Sequence, residues 1–187
     1  MKRTLVALIV VALATMASVA SAQHDPTIDP GVRAGVVELL GSFEVEPTQK
    51  DWDKIGPGAA DVLVEIAADP RQQPTMRSRA VSSLVHVESD QHELLQNLLA
   101  NTDTPVIVRR KAMNVLAIKH PEAAIVALEP FVNSDQPRLR ESAIRALGLV
   151  ARPEARVLLQ ERLKVEPRKY LKDEIKVSLD RIDAAAP

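Results

Sequence analysis

The sequence predicts an all-α fold: an α-solenoid of about four helical hairpins closed by a C-terminal capping helix. Three observations carry that expectation. An apolar pattern recurs every 31 or 32 residues, its members are spaced by four within each copy, and 13 prolines against six glycines punctuate the chain at the starts of the periodic stretches. Among 187 residues, 46% are apolar and 26% charged with a net charge of −1, which excludes both a low-hydrophobicity disordered chain and a strongly basic nucleic-acid binder. One Trp, one Tyr and two Phe leave no base-stacking platform. The absence of cysteine removes disulfides, thiolate zinc sites and cysteine nucleophiles.

The first segment is a targeting sequence by its pattern. Lys2 and Arg3 precede an apolar run over residues 5–14, small residues follow, and Ala20-Ser21-Ala22 places small side chains at the two sites a signal peptidase reads. Residues 1–22 are therefore expected to be a Sec signal peptide, with Gln23 the mature N-terminus. Its loss leaves 22 basic against 25 acidic residues and a charge of −3. The chain has no cysteine after the leader for lipid attachment and no second long apolar run. An exported protein in the bacterial periplasm or outside the cell is expected, with no membrane span after cleavage. Residues 23–30 read as a flexible start.

The repeats follow. Met76-Ala80-Leu84, Val108-Ala112-Leu116, Leu139-Ala143-Leu147 and Leu171-Ile175-Leu179 each lie on one helical face, with their middle members 32, 31 and 32 residues apart. A basic residue follows each first member: Arg77, Arg109, Arg140 and Lys172. A second helical pattern alternates with this one, through Leu63, Leu95, Ala127 and Leu159, with Ala67, Leu99, Phe131 and Leu163 four residues on. Pro57, Pro121 and Pro153 are expected in the first turns of three second helices, where a missing N–H costs nothing, and Asp90 with Glu93 reads as a capping box for the remaining one. Pro74, Pro105, Pro137 and Pro167 stand at the entries of the first helices.

Val32-Val36-Leu40 opens a further copy 44 residues before the next, so an insertion is expected at residues 44–56. The hairpins then cover 31–70, 71–101, 102–133 and 134–166. A helix over 167–182 caps the array with a narrow apolar stripe and a charged remainder, and 183–187 is a tail. The whole repeat domain is 31–182.

The V/L-R-x-x-A-x-x-x-L spacing of Val108-Arg109…Ala112…Leu116 and Leu139-Arg140…Ala143…Leu147 resembles the short HEAT-like repeats of the phycobilisome-lyase type, as does Pro153-Glu154-Ala155…Leu159…Leu163. That resemblance implies a right-handed solenoid, with first helices on the convex wall and second helices on the concave one.

Chemistry-bearing motifs fail on inspection. His92-Glu93-Leu94-Leu95-Gln96 has Gln where a zinc helix needs its second His, Gly56-Pro57-Gly58 lacks a dinucleotide loop's third glycine, and Gly41-Ser42-Phe43 is no nucleophile elbow. His86, Glu88, Asp90 and His92 share a polar turn better explained by capping than by a metal ion. The basic ladder is better explained by ion pairs with Asp69, Asp103, Asp135 and Glu166 than by an anionic polymer. No catalytic residue, cofactor or metal is expected, and the chain is expected not to be an enzyme.

The candidate binding surface is a stripe on the second helices: Asp61, Glu65, Glu93, Asn97, Glu129 and Glu161. Trp52, in the insertion, is the alternative: it could anchor a partner, although a lid folded back over the first repeat is the better reading of that segment. The expected function is an exported scaffold that holds another protein, through a basic segment of that partner, on the concave face. The alternatives are a bilin-lyase-like enzyme and a structural component of the envelope.

Overall fold

The computed structural model describes residues 28–42 and 46–185. The expected signal peptide lies outside the described residues. Ten α-helices follow one another: α1 (Pro30–Gly41), α2 (Gln49–Ile55), α3 (Ala59–Ala68), α4 (Pro74–Ser83), α5 (His92–Ala100), α6 (Val106–Lys119), α7 (Pro121–Val132), α8 (Pro137–Val150), α9 (Pro153–Val165) and α10 (Lys169–Ala185). A 3₁₀ turn at Leu84–His86 extends α4. The described residues contain no strand, and none of their helices is long and apolar enough to cross a membrane.

Local chemistry sets the helix ends. Proline occupies the first turn of α1, α4, α7, α8 and α9. The Asp29 carboxylate accepts from the backbone N–H groups of Gly31 and Val32, so the start of α1 is fixed where a flexible segment to residue 30 was expected. Ile28 packs on the core beside it. In α2 the Asp51 carboxylate accepts from both the N–H and the hydroxyl of Thr48, and these bonds hold its pKa at about 2. The box expected at Asp90 and Glu93 does not form. Asp90 instead accepts from the His92 N–H at 3.0 Å, and α5 starts after Gln91. At the other terminus α10 runs through Ala185, beyond the expected end at 182, where Asp183 pairs with Arg156 of α9.

The helices form two rows. α4, α6, α8 and α10 pack closely, each on the next, while α3, α5, α7 and α9 touch one another sparsely and pack mainly on the first row. Two rows with the same number of steps but unequal spacing must curve toward the closer one. The first helices therefore line the inner, concave wall and the second helices the outer wall, the reverse of the expected placement. Small residues explain the tight row: Ala80, Ala112 and Ala143 are fully buried at its seams, and a Cβ on Gly148 would come within 3.0 Å of the Ser178 backbone.

The core runs continuously from Val36 to Ile182. Its period is not uniform. In α7 the buried positions are Ala124, Leu128 and Val132, so the deeply buried leucines are Leu95, Leu128 and Leu159, spaced 33 and then 31. Ala127, expected in that place, is only half-buried. The single-residue link at His120 between α6 and α7 sets the rotation of α7 and overrides the sequence count.

Candidate functional site

The inner wall carries an open polar recess. One part lies between α4 and α6 and is lined by Glu46, Pro47, Arg79, Ser82, Ser83, His86 and Lys111. The next lies between α6 and α8 and is lined by Ile107, Arg110, Lys111, Asn114, Ser142 and Arg145. Lys111 lines both, so the two parts adjoin on α6 and together reach from α4 to α8. Arg110 and Lys111 are half-buried. Arg110 donates from Nε to the Ser142 hydroxyl at 2.7 Å, and that hydroxyl donates to the Arg138 carbonyl at 3.1 Å, which fixes the guanidinium along the wall. Among the described residues neither Arg110 nor Lys111 has a carboxylate in an ion pair. Arg145, in contrast, is neutralised by Glu174 at 2.9 Å and Glu141 at 2.8 Å, and the Glu174 hydrogen bond raises its pKa. Arg110 and Lys111 therefore put positive charge on the α6 side, while Arg79 and the Glu46 carboxylate line the α4 side.

The expected acidic stripe lies on the outer row. Asp61, Glu93, Asn97 and Glu129 are exposed there. Glu65 is committed to Arg33, with contacts of 2.6 and 3.1 Å, and Glu161 pairs with Lys164 at 2.5 Å. Nor is the stripe in register: Asn97 and Glu161 stand two residues after a buried leucine, whereas Glu129 stands one after Leu128, about 100° around the helix. The structure thus moves these residues off the concave wall and breaks their line. Trp52 is only 2% exposed and belongs to the core, which corrects its reading as a partner anchor; α2 folds against α1 as a lid.

The basic ladder is interior. Arg77 donates to the Ala67 carbonyl at 3.0 Å, Arg109 lies 5.9 Å from the Phe131 ring centre, and Arg140 pairs with Glu166 at 2.8 Å. The turn histidines form a separate contact, His92 stacked on His120 with ring centres 5.3 Å apart. Among the described residues no three His, Cys, Asp or Glu side chains come together in a metal-binding group. The groove on α6 was missed by sequence reasoning, although the run Arg109-Arg110-Lys111 was its signal: three consecutive cations cannot all face inward from one helix.

The repeat identity has a direct match. Residues 92–180 fit the family described as HEAT repeats. This stretch is built of HEAT-like repeats. No curated protein matches the chain by sequence. Among solved structures the chain is similar to human deoxyhypusine hydroxylase in complex with glycerol, at 14% identity and a TM-score of 0.42, over 82% of this chain and 88% of that one. That neighbour is an enzyme, so the expectation that a chain built this way is not an enzyme is withdrawn. At this TM-score and identity the likeness assigns no reaction to the present chain.

Proposed function

We propose that this HEAT-like protein is an exported scaffold that holds a segment of a partner protein against its inner helix row. The observation that carries this reading is the open groove across α4, α6 and α8, whose walls are fixed by the core behind them while their polar side chains face solvent. A row of tightly stacked helices is a rigid platform, and rigid platforms bind extended segments at low ordering cost. Export is supported by the Ala20-Ser21-Ala22 triplet behind its short apolar run.

A photo-crosslinking residue placed in living cells at Asn114, on the inner row, is expected to give discrete adducts, whereas the same residue at Glu129, on the outer row, is expected to give none. Equal labelling from both positions, or labelling from the outer one alone, overturns the assignment. The intact mass of the protein recovered from the periplasm or medium is expected to begin at Gln23.

A further inference from the structure

We infer that the groove takes an acidic segment, with Arg110 and Lys111 as its anchoring cations. This rests on the scaffold reading and adds the chemistry of the occupant. A half-buried cation ordinarily has a carboxylate partner, because partial loss of water must be offset by an opposite charge. Several cations along the two rows make that pairing, Arg33 with Glu65, Arg140 and Arg162 with Glu166, Arg145 with Glu141 and Glu174, while Arg77 and Lys119 donate instead to backbone carbonyls and Arg109 lies over the Phe131 ring. Arg110 and Lys111 are adjacent, of like charge and without a carboxylate partner among the described residues. Ser142 takes the Nε of Arg110, and the side chain lines the groove with a planar fork suited to a carboxylate.

Size favours an extended segment over a single small anion. Three helices at about 8 to 10 Å per step span roughly 20 Å, the length of about six extended residues. Ile107, 42% exposed, lies at the edge of the same recess and offers one apolar contact. The attraction is local, since the chain as a whole is slightly acidic. A partner with a basic segment, as the sequence had implied, meets like charge in this groove.

The test uses the purified chain and fluorescently labelled octaglutamate, octaglutamine and octalysine, read by anisotropy. Octaglutamate is expected to bind in preference to the other two, with its affinity falling at least about tenfold when salt rises from about 50 to about 300 mM. The variant Arg110→Gln/Lys111→Gln is expected to lose about tenfold or more of that affinity, and Lys111→Arg to keep it, while Glu129→Lys changes it little. Melting curves establish that the variants fold; should the double variant unfold, Lys111→Gln alone carries the comparison. Equal binding by the glutamine variant, preference for octalysine, or full competition by millimolar inorganic phosphate each overturns the acidic-segment assignment. If Asn114 still crosslinks in cells after such a result, the scaffold stands and only its charge preference falls. If octaglutamate binds as expected but Asn114 yields no adduct, the groove chemistry stands and the scaffold falls.

Discussion

Glu166 shows how a single residue closes a repeat interface. Its side chain has no exposed surface, yet it accepts from Arg140 at 2.8 and 3.2 Å, from Arg162 at 2.9 and 2.6 Å, and from the Arg168 N–H at 3.0 Å. Burial alone would raise its pKa; the donors from Arg140, Arg168 and Arg162 outweigh burial and hold it below the ordinary carboxylate value. Glu166→Gln is expected to cost about 3 to 5 kcal/mol in urea melts, because it strands two guanidinium groups. His120 adds a second acid-sensitive site. Burial is the main cause lowering its pKa; Asp90 opposes that shift at 3.8 Å and His92 reinforces it. The signs agree. Below about pH 6.5 the unfolded chain binds a proton that folded His120 resists, and below about pH 4.3 it binds one that folded Glu166 resists, so stability falls with acid in both windows. Urea midpoints against pH are expected to decline in two stages, with His120→Asn removing the upper one; a curve unchanged by that substitution would refute the assignment.

At the scale of elements, the packing of α10 on α8 depends on the missing Cβ of Gly148. A methyl group there would sit 2.8 Å from the Ser178 side chain and 3.0 Å from its backbone, and the backbone cannot rotate away. Gly148→Ala is therefore expected to destabilise by about 1 to 3 kcal/mol despite its better helix propensity. The register of α7 gives a paired comparison: Leu128→Ala should cost about 2 to 5 kcal/mol and Glu129→Ala almost nothing. Equal losses would place the helix in the phase that the sequence alone implied. Most helical faces were legible because a four-residue spacing of large apolar side chains admits only one buried side, as at Leu116 and Leu147, both 0% exposed. The α7 phase was not legible, since Ala127 and Leu128 are both apolar and a strict period chose the wrong one. The same one-residue error carried Glu129 into a stripe that the fold does not make.

For the whole molecule, sequence reasoning reached the architecture and missed its curvature. Periodicity reports which face of each helix is buried, but the sense of bending depends on how closely each row stacks, and that is a property of pairs of helices from different copies. The small residues at 80, 112, 143 and 148 were the available sign. Because units touch only their neighbours, loss of one end should be felt locally. Truncation before α10 is expected to uncover Leu139, Leu147 and Glu166 and to abolish amide-exchange protection in α8 and α9 while α4 and α6 keep theirs; uniform loss along the chain would mean a single cooperative core. The links within hairpins carry a mechanical consequence. A 3₁₀ turn and five further residues join α4 to α5, one residue joins α6 to α7, and two join α8 to α9. The long link is anchored along its length, since Leu84, Val87 and Gln91 are buried in it, so the hairpins with the shortest joints and the one with the longest are held by the same core and should bear load together.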